Sequence, residues 1–208
     1  MKPANVSAET VATVFGHQAR QISAYAEALA GDGVARGLIG PREVPRLWDR
    51  HILNCAVVAP LFRVGATVGD VGSGAGLPGL VIAIARPDLR VTLIEPLLRR
   101  TGFLAEVVER LGLSVEVVRA RAEQLHGARR FDYVTARAVA PLERLVGLTL
   151  PLCSGGGELL ALKGSSAGEE VIAARQALQR HKAGAVQIER YGVGVVTPST
   201  TVVRIKSP

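Results

Sequence analysis

The sequence contains few cysteines and no long hydrophobic run. Its two cysteines, Cys55 and Cys153, are too few for a disulfide framework, and neither has the CxxC or Cys/His spacing of a zinc site. We therefore expect a reducing compartment and no bound metal. The longest apolar runs, such as residues 80–85, are far too short to span a bilayer, and residues 1–7 lack the apolar core of a secretory signal. The sequence thus predicts a cytoplasmic protein with no membrane partner.

Aromatic residues are also scarce, at 4% of the 208 residues, whereas 48% of the residues are apolar. This apolar content is sufficient for one globular domain with a buried core, and it argues against disorder through charge repulsion. The 25 Lys and Arg outnumber the 18 Asp and Glu, which gives a formal net charge of +7. That balance favours an anionic partner.

The pattern of apolar residues changes near residues 63–66. Before this boundary, apolar residues recur at three- and four-residue spacing over residues 7–30 and 42–62, which is typical of amphipathic helices. After it, short β-branched runs alternate with helical windows, as in βαβ units that build a parallel sheet. We therefore predict an α/β fold with a helical extension over residues 1–65, packed on a Rossmann-like domain over residues 66–208.

Seven strands and four helices are predicted in the second region. The predicted strands cover residues 67–71, 90–95, 115–119, 131–136, 157–163, 185–191 and 200–205. The predicted helices cover residues 79–85, 97–111, 141–150 and 168–181. Only residues 192–199 join the last two strands, which favours an antiparallel hairpin added to the parallel sheet.

A glycine-rich segment, residues 68–79, follows the first predicted strand and opens a helix. Glycines permit a tight turn and close approach of a ligand, and the amides at the start of a helix favour an anionic group such as a carboxylate. The GxGxxG frame that begins at Gly74 matches the fingerprint of nicotinamide and flavin enzymes. The overlapping DxGxGxG frame, from Asp70 through Gly72 and Gly74 to Gly76, resembles motif I of class I S-adenosylmethionine-dependent methyltransferases. We prefer the second frame because it explains an acidic residue at Asp70, where dehydrogenases usually have an apolar residue.

Further candidate residues follow the next strands. Glu95 ends the second predicted strand, at the position where an acidic residue accepts hydrogen bonds from ribose hydroxyls. Glu123 follows the third strand, where methyltransferases of this class hold the adenine, although a solvated loop explains this charge nearly as well. Arg137 follows the fourth strand and so is expected at the carboxyl edge of the sheet, where ligands bind.

Several strings together resemble one protein family along nearly the whole chain. They are LWDRHIL at 47–53, GSGAGLPG at 72–79, EPLLRR at 95–100, TARAVAPL at 135–142 and GGGELLALKG at 155–164. The glycine string is generic, whereas the LWDRHIL and TARAVAPL strings are specific. They are similar to those of the RsmG family, also called glucose-inhibited division protein B, whose members are 16S rRNA guanine-N7 methyltransferases.

The resemblance implies methyl transfer from S-adenosyl-L-methionine to nitrogen 7 of a guanine in the helix 18 (530) loop of 16S rRNA, at the position of type 527. The expected partner is therefore 16S rRNA or the 30S subunit, bound by a monomer. Carried over position by position, the resemblance assigns cofactor contacts to Gly72, Leu77, Ala122, Glu123 and Arg137. Asn54 and Cys55 depart from the Asp-Ser pair usual in the family, and residues 37–40 depart from a start resembling Asn-Leu-Thr.

The expected chemistry requires no catalytic base. Ring nitrogen 7 of guanine already has an in-plane lone pair, so proximity and alignment are sufficient. Arg137 then has two possible ligands, the methionine carboxylate of the cofactor and the acceptor edge of the guanine. Arg50 and His51 are candidate substrate contacts, but adjacent helical residues point about 100° apart, so at most one of the two is expected to face the site.

The distribution of arginine suits an RNA substrate. Between residues 99 and 144 the sequence has nine Arg against six acidic residues. Because Arg binds phosphate and stacks on bases, it can partly replace the scarce aromatic residues. Three alternatives remain open: a small-molecule methyltransferase, a nicotinamide-dependent oxidoreductase and a non-catalytic RNA-binding module on the same scaffold.

Overall fold

The structure is a computed structural model that describes residues 6–208. Residues 1–5, which form most of the segment used to argue against a secretory signal, lie outside the described residues. Within the described part of the chain, no helix is both long and apolar enough to cross a membrane.

A seven-stranded sheet forms the centre of the molecule. Its strands are β1 (Thr67–Val71), β2 (Arg90–Ile94), β3 (Val115–Val118), β4 (Phe131–Arg137), β5 (Cys153–Lys163), β6 (Val186–Tyr191) and β7 (Thr200–Lys206). Their order is β3-β2-β1-β4-β5-β7-β6. Strands β1 to β5 pair in parallel, while β7 runs antiparallel to both β5 and β6. The predicted parallel sheet and the terminal antiparallel hairpin are confirmed.

Eight α-helices accompany this sheet in the described residues. They are α1 (Ala8–Phe15), α2 (Ala19–Ala28), α3 (Leu53–Ala56), α4 (Gly79–Ala85), α5 (Leu98–Leu111), α6 (Leu142–Thr149), α7 (Ala167–Ala173) and α8 (Arg175–Arg180). The prediction of one helix over residues 168–181 is wrong because the chain divides at Ala174, where ψ is −2°. Neither a glycine nor a proline marks this break in the sequence.

The helical segments from Ala8 to Leu61, here called the front helices, are more broken than their apolar spacing predicts. Gly16, with φ of +50°, ends α1. Leu29–Gly33 and Leu47–Ile52 are π-helical turns, and Pro41–Arg46 is a 3₁₀ segment that contains a second proline at its fifth position. Proline cannot donate a backbone hydrogen bond and glycine is a poor helix former, so tertiary packing holds these short turns in place.

The sheet separates two apolar cores. Along β5, Leu160 and Leu162 belong to the core that also contains buried residues of the front helices, α4 and α5, whereas Leu159 and Ala161 belong to the core beneath α6 and α8. This alternation follows from the two-residue repeat of a strand. The front helices therefore cover one face of the sheet and share its core, and the division of the chain at residue 65 stays a prediction.

The topology creates one position for a ligand. From β1 the chain proceeds outward through β2 to β3, and it then returns to place β4 on the other side of β1. Connections that leave neighbouring parallel strands in opposite directions open a crevice at the carboxyl ends of those strands. The glycine segment after β1 and Arg137 at the end of β4 both lie at this edge.

Candidate functional site

The glycine segment between β1 and α4 adopts a conformation that ordinary residues avoid. Gly72, Gly74 and Gly76 have φ of +71°, +58° and +102°. L-residues with a side chain rarely adopt such values, which explains the alternate glycines of the motif. The amide of Gly72 donates to the carbonyl of Ile94 at 2.8 Å, so the segment, here called the glycine loop, lies against the end of β2.

The surroundings distinguish the three glycines. A Cβ atom at Gly72 would lie 2.6 Å from Cγ2 of Val139, and one at Gly76 would lie 2.5 Å from Cδ1 of Leu80. At Gly74 the nearest atom would be a backbone oxygen at 3.9 Å. Gly72 and Gly76 are thus required by the packing of the protein itself, whereas the space beside Gly74 is open to a ligand.

Asp70, at the end of β1, holds the base of this loop. Its side chain is fully buried, and it accepts hydrogen bonds from the amide of Gly79 at 3.1 Å and from Oγ1 of Thr135 at 3.1 Å. Burial raises the pKa of Asp70 to about 6, although these hydrogen bonds favour the ionised form. The acidic residue of the motif therefore joins β1 to α4 and β4, and it does not reach into the crevice.

Tyr25 on α2 fixes the middle of the glycine loop. Its hydroxyl donates to the carbonyl of Ala75 at 2.8 Å, and its side chain is fully buried. Burial raises the pKa of Tyr25 well above its usual value, and the nearby Cys55 and Asp70 raise it further. Sequence reasoning missed this residue because only its helical spacing stands out, and that spacing predicts an ordinary core position.

Glu95 lies directly after β2 and faces the glycine loop. Its carboxylate is 1% exposed and accepts hydrogen bonds from the amides of Gly74 at 3.0 Å and Leu97 at 3.1 Å. Arg100 makes a longer contact, at 3.5 Å, and its own side chain is 41% exposed. The structure thus brings Glu95 together with the predicted glycines, and its ion pair with Arg100 is the most accessible of its contacts.

The remaining predicted cofactor contacts lie around this point. Leu77 is half-buried and packs against the core beneath the front helices. Ala122 is buried at the start of a short 3₁₀ turn after β3, while Glu123 in the same turn is exposed. Because β3 is the parallel neighbour of β2, this turn lies at the same edge of the sheet as Glu95.

Arg137 makes its hydrogen bonds with the front helices. Its guanidinium donates to Sγ of Cys55 at 3.2 Å, to the carbonyl of Arg50 at 3.3 Å and to Nδ1 of His51 at 2.7 Å. Arginine has no acceptor, so Nδ1 of His51 must be unprotonated. The other ring nitrogen of His51 then carries the proton and donates to Glu43 at 2.7 Å.

These contacts set the charge state of His51. Burial lowers the pKa of His51 below its usual 6.5, and the neighbouring Arg137 lowers it further, whereas the bond to Glu43 opposes the change. The pKa of Glu43 is also lowered, mainly by its bond to His51. Neutral His51 therefore connects Glu43 to Arg137, and no local sequence pattern predicts that Glu43 takes part.

A wide cleft of about 1000 Å³ opens beyond the ends of β4 and β5. Its walls come from the front helices, from residues 138–141 after β4, from residues 163–165 after β5, and from the β6–β7 hairpin. We call it the basic cleft because its lining includes Arg46, Arg50, Arg137, Lys163 and Arg190, with Glu170 as the only acidic side chain among the described residues that line it.

The two candidate substrate residues, Arg50 and His51, have different positions relative to this cleft. Arg50 lines it, whereas His51 lies behind the lining and contacts Arg137. Trp48, from the same LWDRHIL string, is 4% exposed and belongs to the core. Cys153 is fully buried, and burial raises its pKa to about 12.

Comparison with solved structures supports the fold. The chain is similar to a precorrin-6y C5,15-methyltransferase from Geobacter metallireducens, with a TM-score of 0.55 and 14% identity over 82% of this chain and 91% of the other. It is also similar to an S-adenosylmethionine-dependent O-methyltransferase from Thermotoga maritima, with a TM-score of 0.57 and 13% identity over 79% of this chain and 69% of the other. The predicted class I methyltransferase fold is thereby confirmed.

Sequence comparison is more specific. The profile of the GidB family, described as rRNA small subunit methyltransferase G, matches residues 18–194. A protein from Nocardioides sp. named ribosomal RNA small subunit methyltransferase G is 60% identical over 87% of this chain and 73% of its own length. A protein of the same name from Thermobifida fusca is 57% identical over 96% of this chain and 85% of its own length. The chain therefore belongs to the GidB family of small-subunit rRNA methyltransferases.

Proposed function

We propose that this protein methylates 16S rRNA at nitrogen 7 of a guanine in the helix 18 (530) loop, with S-adenosyl-L-methionine as donor. Family membership supports the rRNA methyltransferase class. One observation carries the proposal: at the crevice beside β1, an open space at Gly74 adjoins the buried carboxylate of Glu95, and Val139, which packs against the same loop at Gly72, lines a cleft that contains five cations. A small-molecule enzyme would require a closed apolar pocket at this place.

The residues present fit the cofactor. The open space at Gly74 admits a ligand beside the backbone of the glycine loop, including Gly72, Gly76 and Leu77. Glu95 is the proposed acceptor for the ribose hydroxyls. Its contact with the half-exposed Arg100 is the one that a ribose can replace. Ala122 and Glu123 are proposed to border the adenine. When bound, S-adenosylmethionine supplies a methyl group on a positively charged sulfur.

The nearby titratable groups suit a reaction that removes no proton from its target. Both ring nitrogens of His51 are engaged, by Arg137 and Glu43. Both carboxylate oxygens of Asp70 are engaged as well, by Gly79 and Thr135. Neither group is free to act as a general base, and guanine nitrogen 7 requires none.

Arg137 retains hydrogen-bonding capacity for a ligand. A guanidinium has five N–H donors, and the three contacts with the front helices use three of them. We propose that the remaining donors bind the methionine carboxylate or the acceptor edge of the guanine. The contacts behind Arg137 hold its plane in place for either ligand.

The test is methyl transfer from labelled S-adenosylmethionine to 30S subunits that lack the modification, with free 16S rRNA and total small metabolites as parallel substrates. We expect label at nitrogen 7 of one guanine of 16S rRNA, located by base-resolution mapping. Absence of label from 16S rRNA would overturn the proposal. Label in metabolites alone would favour the small-molecule enzyme, and calorimetric binding of NAD(P)H without S-adenosylhomocysteine would favour the oxidoreductase.

A further inference from the structure

We infer that the basic cleft holds the target nucleotide together with its flanking phosphates, with Val139 as the surface for the base and Arg46, Arg50 and Arg190 as the phosphate contacts. The inference rests on the proposed function, since it presumes an RNA substrate. It goes further by assigning which residues bind that substrate.

Val139 stands where the glycine loop and the basic cleft meet. Its Cγ2 atom lies so close to Gly72 that a Cβ there could not be accommodated, and the same side chain lines the cleft. It is nevertheless 37% exposed, which is unusual for a large apolar side chain in a cleft rich in cations. Enzymes that act on a base hold it against apolar or aromatic side chains, so Val139 offers the base a surface next to the donor site.

The segment that carries Val139 is held in a strained conformation. Ala138 has φ of +55°, a value that is costly for a residue with a Cβ. Nζ of Lys163 donates to the carbonyl of Ala140 at 2.8 Å and to Glu170 at 2.7 Å, and the amide of Leu142 donates to the same carboxylate at 2.9 Å. These bonds fix the segment, so Val139 is presented in one position.

The three arginines come from two different parts of the cleft lining, and all three are exposed. Arg46 and Arg50 belong to the front helices, and Arg190 to β6. Among the described residues, the side chains of Arg46 and Arg190 form no hydrogen bond or ion pair, whereas that of Arg50 forms one long ion pair with Glu43, at 3.9 Å. Exposed guanidinium groups that are unpaired, or held only by a long ion pair, in the lining of one cleft favour a chain of phosphates along it.

The arginine-rich stretch that first suggested RNA binding is less available. Arg110 pairs with Asp32 at 3.3 Å and Arg129 with Glu116 at 2.8 Å, while Arg130 donates to the carbonyl of Cys153 at 3.0 Å. Arg100 and Arg137 are engaged as described above. Five of these nine arginines thus bind the protein itself, and the cations without partners at the cleft are better placed for substrate.

The test measures binding of an unmodified transcript of helix 18 at several salt concentrations. The variants are R46Q and R190Q, and R175Q on α8 is the matched control because Arg175 is exposed and lies outside the cleft. We expect R46Q and R190Q each to reduce the slope of log affinity against log salt by roughly 0.7–0.9, which is the release of one counterion. Calorimetric affinity for S-adenosylhomocysteine should be unchanged, and R175Q should retain the slope of the unaltered protein. Unaltered slopes in both R46Q and R190Q would overturn the inference.

A second variant tests the surface for the base. V139A should lower kcat/KM for the transcript about five- to tenfold through lost apolar contact, and this loss should exceed any loss of affinity for S-adenosylhomocysteine through the contact of Val139 with the glycine loop. An unchanged kcat/KM would remove Val139 from the site. If the proposed function is wrong, the unaltered protein itself will not label 16S rRNA. If only this inference is wrong, the unaltered protein labels 16S rRNA and the variants behave like it.

Discussion

Asp70 is a buried carboxyl group whose structural role is to join β1 to α4 and β4. A rise of its pKa from 3.8 to about 6 means that keeping it ionised at neutral pH costs the fold about 3 kcal/mol. In return for this unfavourable free energy, the one side chain of Asp70 fixes the start of α4 and the end of β4 beside the glycine loop. This cost yields a pH-dependent prediction.

For Asp70→Asn we expect the difference in unfolding free energy from the unaltered protein to depend on pH. Because the folded-state pKa is raised, the contribution of Asp70 is most favourable below 3.8 and is lost as the pH rises towards about 6. Between pH 7.5 and pH 5 the unaltered protein should therefore gain about 1–2 kcal/mol relative to the variant. Urea unfolding of both proteins at the two pH values measures this, and a constant difference would contradict the assignment.

The contribution of His51 has the opposite dependence on pH, because its pKa is lowered in the fold. The neutral form that accepts from Arg137 is therefore present above 6.5 and is lost as the pH falls through the lower folded-state value. We expect an acid limb below pH 6.5 in the pH profile of kcat/KM for rRNA methylation. Two other titratable groups contact His51 or Arg137. The pKa of Glu43 lies below 4.5 and that of Cys55 lies above 9, so neither group titrates just below pH 6.5.

His51→Asn provides the matched variant. Its amide oxygen can accept from Arg137 in place of Nδ1 but does not titrate, so the acid limb should shrink to the part contributed by Asp70, whose pKa is about 6, while part of the activity remains. His51→Phe should lose more activity, since Arg137 then faces an unpaired position, at a cost of about 1–3 kcal/mol. An acid limb that is unchanged in position and depth in His51→Asn would exclude His51 as its source.

Among the elements, α2 and α3 connect distant parts of the chain to the site. Tyr25 on α2 reaches the glycine loop, and Asn54 on α3 accepts from Oγ1 of Thr200, at the start of β7, through both its carbonyl at 2.8 Å and its side-chain oxygen at 2.6 Å. The front helices thus contact both sides of the crevice. Their role is to hold the glycine loop and the hairpin at fixed positions.

Tyr25→Phe tests this connection because it removes the hydroxyl and preserves the ring. We expect the free energy of unfolding to fall by about 1–2 kcal/mol, since the carbonyl of Ala75 loses its buried donor. Affinity for S-adenosylhomocysteine should fall as well, because the glycine loop is then less well fixed. Calorimetry and urea unfolding report the two effects, and full affinity despite reduced stability would limit Tyr25 to a structural role.

The elements also show what the sequence could predict. Strand β1 and helix α4 have the predicted bounds, because a short run rich in β-branched residues and a helix start at Gly79 are local signals. Strand β5 begins at Cys153 instead of the predicted residue 157. The glycines near its start carry no strand signal, and the pairing of Cys153 with Phe131, which a register shift separates from the rest of the ladder, exists only in the folded sheet.

Some residues of the site could likewise be predicted from local patterns, and others could not. The spacing of Gly72, Gly74 and Gly76, and the position of Glu95 after a strand, predicted which residues would meet. Tyr25 and Val139 could not be predicted, because their roles depend on contacts between residues far apart in the sequence. No local pattern encodes such contacts.

For the whole molecule, cofactor binding should appear as added stability. S-adenosylhomocysteine at about 100 times its dissociation constant stabilises a folded protein by about 2.7 kcal/mol, which for a chain of this size raises Tm by roughly 5–10 °C. NADH should produce no shift. A shift with NADH alone would contradict the methyltransferase assignment.

Two glycine variants make this measurement specific. Gly74→Val should abolish the shift, because its branched side chain occupies the open space beside the loop. Gly112→Val is the matched control, since Gly112 has a similar φ of +61° and open surroundings at the far end of α5. Both variants strain the backbone, but only Gly112→Val should retain the response to S-adenosylhomocysteine.

The apolar core shared by the front helices and the sheet has a genetic consequence. A substitution at a buried position of α2, such as Ile22 or Leu29 just beyond it, disturbs the same packed unit that supports the glycine loop. In a random-mutagenesis screen for cells that lose the modification, inactivating changes should therefore be scattered through the first sixty residues as well as along the sheet edge. Exposed positions of α7 and α8 should be nearly absent from such a collection.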